Sequence, residues 1–168
     1  QKIVIHVHAI NPLSMLVQEN AEVRLAKILG NKVKYKFIPY AKPGHELGEV
    51  IASKLASSEE PPDVILLENH GIVVAGETIE EINNNLNYVC NACSPNEIYN
   101  PALIIVPTNS LTIDDTDYSP IDQHHLHALA IDEYLFKIVN ENWALYPDHV
   151  VFLGPSPIIF DSLKETEK

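Results

Sequence analysis

The chain has 168 residues, 46% of them hydrophobic, which is enough for one domain with a sizeable core. Eleven basic residues against 23 acidic ones leave a formal net charge of −12 with no Lys/Arg cluster, so nucleic acid and anionic membrane surfaces are excluded as expected partners. No run of 18 or more apolar residues is present, and no transmembrane helix is expected.

The first element is predicted over residues 2–10, where Ile3, Ile5, Val7 and Ala9 alternate with a second set that includes His6 and His8. Period-two geometry places both imidazoles on one face of a strand. Asn11-Pro12 then reads as N-cap and first residue of a helix. Its apolar positions Leu13, Leu16, Val17, Ala21, Leu25, Ile28 and Leu29 keep helical spacing, and Gly30 is its stop. Residues 33–38 alternate as a strand, residues 39–44 carry turn residues, and Leu47, Val50, Ile51 and Leu55 mark one face of the next helix. After a polar turn over 57–62, the run Val64 to Leu67 has the continuous hydrophobicity of a strand buried on both faces. His70 stands at its end, followed by Gly71, which would permit a tight turn. Residues 72–76 form the next predicted strand, and Thr78-Ile-Glu-Glu81 is a capping box opening a helix that runs to about Cys93.

Beyond it, a Pro- and Asn-containing stretch (94–101) leads to an apolar run over 102–106. Ser119-Pro120 opens a predicted helix lined by Ile121, Leu126, Leu129, Ile131, Leu135, Ile138 and Val139. Val150 to Leu153 reads as a last short strand broken by Gly154-Pro155, and the charged tail from Lys164 is expected to fray. There is no internal repeat. Strands alternating with helices predict an α/β layered domain with its central sheet covered on both faces. The two cysteines, Cys90 and Cys93, are no disulfide framework and fit a reducing, cytoplasmic compartment. Their C-x-x-C spacing lacks a second pair, so it reads as two thiols on a helix. No secretory signal is visible, and a chain that starts without Met and almost inside a strand reads as an excised piece.

Two His at i, i+2 on one strand face can grip one metal ion, although two polar residues on a half-exposed strand have the same pattern. His70, at a strand end, is placed to supply a third nitrogen. Three neutral imidazoles leave one tetrahedral position open, the arrangement of a catalytic rather than a structural zinc. A second cluster, His124, His125 and His127, puts His124 and His127 on one helical face as a half-site. No carboxylate stands at the offset needed to complete it, so a solvated or interface face is its expected role. His45 and His149 read as structural.

Three blocks in one order carry a resemblance: His6-x-His8, Pro39-Tyr40-x-x-Pro43-Gly44, and Asn69-His70-Gly71 followed by Gly76 and an Ile/Glu-rich helix. Together, over roughly residues 1–93, they resemble the class II aldolase/adducin family, of the fuculose-phosphate and rhamnulose-phosphate aldolase type. The ending Tyr146-Pro-Asp-His-Val-Val-Phe-Leu-Gly154 looks like the extension of longer members, such as the aldolase part of rhamnulose-phosphate aldolase/dehydrogenase fusions. The resemblance implies a three-layer α/β/α sandwich with a central mixed sheet, here lacking its N-terminal part. It implies one domain over 1–160, with a motif-bearing core (1–93), a C-terminal extension (94–160) and a charged tail (161–168). It further implies a Zn2+ ion, or another divalent metal, on His6, His8 and His70. Tyr40 would be the proton donor contributed by a neighbouring subunit, in a homo-oligomer, a tetramer by preference, with sites between subunits. The family's Gly/Ser-rich phosphate loop and its catalytic Glu find no counterpart before His6.

The activity so implied is metal-dependent cleavage of a small sugar phosphate through a zinc-stabilised enediolate. Sugar-phosphate epimerisation or dehydration on the same scaffold, and a non-catalytic adducin-like assembly module, are the alternatives. A cation held by three neutral ligands keeps its full charge to stabilise the carbanion left by aldol cleavage. A phenol with a pKa of roughly 10 can exchange the proton; a loop tyrosine packed under a Pro turn is the other reading of Tyr40.

Overall fold

The computed structural model describes residues 1–58, 60–95, 110–113 and 115–159. They fall into two units, Gln1–Asn96 with Leu145–Asp148, and Glu97–Ala144 with His149–Lys168. The apolar run at 102–106 and the tail 161–168 lie outside the described residues.

In the first unit the chain forms β1 (Ile3–Val7), α1 (Ile10–Leu16), α2 (Ala21–Leu29), β2 (Tyr35–Ile38), α3 (His45–Ala56), β3 (Val64–Leu67), β4 (Gly71–Gly76) and α4 (Ile79–Ala92). Its four strands make one mixed sheet in the order β1-β4-β3-β2. β4 runs antiparallel to both neighbours, and β2 is parallel to β3 with α3 as the crossover. Alternation along the strands sends Phe37, Val64, Leu66, Ile72 and Val74 to one face, where they pack with Leu16, Leu25, Leu29, Ile82 and Val89 from α1, α2 and α4. The other face gives Ile38, Leu67, Ile65 and Val73 to α3, against Leu47, Val50 and Ile51. The result is an α/β/α arrangement in three layers with the sheet buried on both sides. Each fully buried Leu or Ile in it contributes about 1.5–3 kcal/mol of transfer free energy.

Local signals explain most of these boundaries. The Thr78 hydroxyl accepts from the Glu81 N–H at 3.2 Å, and the Glu81 carboxylate accepts from the Glu77 N–H at 2.7 Å, so the capping box closes one residue further out than its usual form. Gly30 ends α2 with φ of 55°, a conformation that favours glycine.

In the part of the chain up to Gly76, four expectations are corrected. The single helix expected from Asn11 to Leu29 is two, because Asn20 takes a left-handed conformation (φ 58°) and the Leu16 carbonyl accepts from the Asn69 N–H at 3.2 Å instead of continuing the ladder. Asn11 lies inside α1 and is no cap; its amide donates to the Cys90 carbonyl at 3.1 Å. The strand expected from Val33 begins at Tyr35. Gly71 does not have a positive φ; in the β3–β4 turn that conformation belongs to Asn69 (φ 54°).

The second unit contains the hairpin β5 (Leu111–Ile113) and β6 (Thr116–Tyr118), and then α5 (His124–Ile131) and α6 (Glu133–Glu141). The helix expected to run from Ser119 to Val139 is divided at Asp132. That residue is extended, and its carboxylate caps α6 by accepting from the Leu135 N–H at 2.9 Å. The last expected strand, Val150 to Leu153, is helical: α7 (Pro147–Leu153) starts with Pro and Asp in its first turn, both favourable there. A short apolar run cannot be told from a buried helix segment by its pattern, and no described strand pairs with it. No helix among the described residues is long and apolar enough to cross a membrane.

Candidate metal centre

Strand register, rather than sequence proximity, assembles the histidines. In the β1–β4 ladder His6 is opposite Val73 and Val7 is opposite Ile72, so His8 lies one step further on, beside the start of β4. His70 immediately precedes that start, in the turn from β3. Ile3, Ile5 and Val7 pack into the core on one side of β1, while His6 shares the opposite side with its partner Val73. The period-two reading of the strand therefore holds.

The three rings meet at centroid distances of 4.9, 5.0 and 5.1 Å, each pair within about 12° of perpendicular at 78°, 82° and 80°. One ring nitrogen from each lies within 4.8 Å of the others, and among the described residues this is the one such group of His, Cys, Asp or Glu. The hydrogen bonds identify which nitrogens are available. His6 Nδ1 is 3.0 Å from the Ile72 carbonyl; a carbonyl only accepts, so Nδ1 carries the proton and Nε2 is left for another partner. His8 Nδ1 is 3.1 Å from an Asp148 carboxylate oxygen, which again places its proton there. The two Nε2 atoms then face one another at 3.0 Å. Two bare imidazole nitrogens repel at that distance unless a proton or a metal ion lies between them. Ligands of a tetrahedral zinc with Zn–N bonds of ~2.0–2.1 Å stand roughly 3.3 Å apart, close to what is found.

His70 completes the fit. Its Nδ1 is buried without a hydrogen-bond partner, an arrangement that costs free energy in a finished fold. Burial first, and the neighbouring His6 and His8 next, hold its pKa below the ordinary imidazole value, with Asp148 pulling weakly the other way. A neutral ring is the form that ligates. By donor type and convergence the triad can hold a divalent metal ion.

Gly71 has a role that its sequence position does not reveal. A Cβ there would stand 2.7 Å from His8 Cδ2, 2.8 Å from the Val7 carbonyl oxygen and 3.4 Å from His6 Cε1. Glycine at this point leaves room for the imidazoles.

Tyr40 lies in the loop after β2 and is 51% exposed. Its N–H donates to the Glu68 carboxylate at 2.8 Å, which ties this loop to the β3–β4 turn that carries His70. Glu68 and Asp148 are polar groups that sequence reasoning did not nominate for the site; Asp148 stands in the stretch 146–154 read only as an extension, and tertiary contact brings both to the site. Tyr146 stands edge-on to His8 at 6.5 Å between ring centroids. The second histidine cluster does not supply a described ligand set: His127 Nε2 donates to the Ile121 carbonyl at 2.9 Å, and the side chains of His124 and His125 lie outside the described residues. His45 is a surface residue 3.2 Å from Glu49. A cleft of about 570 Å³ lined by Lys34, Lys36 and Lys54 runs along β2 and shares no residue with the triad.

The family described as "Class II Aldolase and Adducin N-terminal domain" matches residues 1–95, the stretch that holds all three histidines. The chain belongs to that family. An uncharacterized oxidoreductase of Bacillus subtilis (strain 168), YuxG, is 33% identical over 75 residues, 45% of this chain. That match spans 10% of the length of YuxG. Two solved structures are also similar. The N-terminal class II aldolase domain of a conserved Thermoplasma acidophilum protein has 28% identity and a TM-score of 0.44, covering 54% of this chain and 39% of its own. An aldolase II superfamily protein of Pseudomonas syringae has 21% identity and a TM-score of 0.39, covering 54% and 36%.

Proposed function

We propose that this class II aldolase/adducin chain carries the metal centre of a lyase that cleaves a small sugar phosphate by retro-aldol reaction, with zinc on His6, His8 and His70. The observation that supports this reading most is the convergence of three imidazole nitrogens within 4.8 Å of one another, beside a glycine that a side chain would close. A divalent cation held there supplies electrostatic stabilisation to the negative charge left on the substrate when its carbon–carbon bond breaks.

The chain's own residues do the rest. Three neutral ligands leave the charge of the site undiminished, and the Ile72 carbonyl and Asp148 hold His6 and His8 with their Nε2 atoms forward. Tyr40, half exposed on its loop, is the proton donor to the departing aldehyde and serves the site of a neighbouring subunit in a homo-oligomer. The Glu68 carboxylate at its N–H sets where that loop leaves the sheet. A protein of this kind works in the cytoplasm, on a substrate small enough to reach an open coordination position.

The test has two parts. Zinc titrated into the purified chain should bind one ion per chain, and His70→Ala should abolish stoichiometric binding. A chain that takes up no zinc, or a His70→Ala variant that keeps it, sinks the metal assignment. The complete protein containing this chain is then assayed on a panel of ketose phosphates, with products identified. Released aldehyde supports the lyase; an inverted or dehydrated sugar reassigns the reaction while leaving the metal in place.

A further inference from the structure

The three histidines differ in what their Nδ1 atoms meet. His6 Nδ1 donates to a backbone carbonyl, which no substitution removes. His70 Nδ1 has no hydrogen-bond partner. His8 Nδ1 alone is held by a side chain, the Asp148 carboxylate at 3.1 Å. Asp148 lies outside residues 1–95, the stretch that the family match covers, and reaches the triad through the short segment Leu145–Asp148, which belongs to the first unit. Leu145 and Tyr146 come close to α1, lining an apolar groove with its residues Ile10, Leu13 and Ser14 and with Val17 just past its end. Both members of the pair are about a third exposed, at 30% and 31%, so the contact is partly shielded from water.

We infer that Asp148 is a positioning residue for the metal centre: its carboxylate accepts the His8 Nδ1 proton and thereby fixes the tautomer and ring orientation that present Nε2. A free imidazole prefers neither tautomer strongly and turns about its Cα–Cβ and Cβ–Cγ bonds. A carboxylate on Nδ1 removes both freedoms and makes Nε2 a stronger donor, an effect that elsewhere changes metal affinity by roughly 10–100-fold. The centre is thus completed by residues more than one motif away, and the ligands of residues 1–95 are under-supported without 145–148. Asp148 touches the ligand only and is not itself a ligand, since its carboxylate faces the nitrogen turned away from His6.

This inference rests on the triad holding zinc, and the experiment separates the two. Zinc affinity is measured by chelator competition for the 168-residue chain and for Asp148→Ala and Asp148→Asn, with circular dichroism of the metal-free proteins to establish that each is folded. In parallel, 15N-resolved NMR of the His8 ring reports its tautomer. The expected result is a 10–100-fold loss for Asp148→Ala with His8 spread over both tautomers. Asp148→Asn, whose amide oxygen still accepts the Nδ1 proton, should recover part of the loss and keep the Nδ1–H form. Asp148→Ala binding zinc as tightly as the parent chain, or leaving the His8 tautomer unchanged, overturns the inference and leaves the metal reading standing. Asp148→Asn no better than Asp148→Ala overturns it as well, because simple loss of a nearby negative charge then accounts for the effect. If the parent chain itself binds no zinc, the metal reading falls first and this inference with it.

Discussion

Gly71 offers a sharp check on the geometry of the centre, because one methyl group separates two opposed effects. Its backbone is not in the left-handed region, so an alanine meets no conformational penalty there. Replacing Gly by Ala at such a position usually stabilises a protein by about 0.4–1 kcal/mol, through lower entropy of the unfolded chain. Against this stands the crowding: a Cβ would be 2.7 Å from His8 Cδ2 and 2.8 Å from the Val7 carbonyl, where ordinary contact begins at 3.4 Å. The carbonyl belongs to the end of the β1–β4 ladder and gives little, so its crowding remains whatever the ring does, while the His8 ring can turn aside. Overpacking of this kind costs about 1–3 kcal/mol. The balance is a net loss of roughly 0.5–2 kcal/mol for Gly71→Ala in metal-free protein, together with weakened zinc binding. Urea unfolding in the presence of a chelator measures the first, and chelator competition the second. The cause is isolated by a double-mutant cycle with His8→Ala. Once the ring is gone, adding the methyl should cost less than it does in its presence. Equal cost in both backgrounds would leave the Val7 carbonyl as the cause and refute crowding by the His8 ring, and a stabilising Gly71→Ala would refute both close approaches.

Two further outcomes are expected. Burial raises the Cys93 thiol to about 11 and pushes Cys90 up as well, so at pH 8 only about one Cys93 in a thousand is thiolate. A thiol reagent should leave Cys93 unmodified in folded protein and react with both cysteines in denaturant; because folding holds the Cys93 proton more tightly, this contribution to stability is present below pH 9 and lost as pH climbs through about 11. For Tyr40, reassembly of mixed subunits of the complete protein, one carrying Tyr40→Phe and the other His6→Ala, should restore part of the activity that each lacks alone, since one site then unites an intact triad with an intact tyrosine; no recovery despite measured subunit exchange would remove Tyr40 from a neighbour's site.

Much of the first unit was legible because its elements are specified locally. The alternation of Ile3, Ile5 and Val7 against His6 and His8, the continuous run from Val64 to Leu67, and the capping box at Thr78 each name an element without reference to the rest of the chain. The errors share a different cause. Leu13, Val17, Ala21, Leu25 and Leu29 recur every fourth residue straight through the break between Leu16 and Ala21, so periodicity cannot register it. What ends α1 is the Asn69 N–H taking the Leu16 carbonyl, a partner far away in sequence. Asp132 stood inside an apolar helical pattern that continues on both sides, although Asp followed by a charged residue is also an N-cap signal.

The candidate site divides along the same line. Its ligands could be nominated from strand spacing and a strand end, since a donor must be of the right type and each donor declares its own type. The parts that aim those donors could not. The Ile72 carbonyl reaches His6 only through the β1–β4 register, and Asp148 reaches His8 only because residues 145–148 return to the first unit. Gly71 was noticed for the wrong freedom, because a sequence shows that a side chain is missing without showing what occupies its place. The difference has a physical basis: a metal selects atoms, but how tightly it is held depends on how little those atoms must reorganise, and that is a property of packing. The stability of such a centre should therefore respond to Gly71 and Asp148, which donate nothing to a metal, nearly as strongly as its existence responds to the histidines.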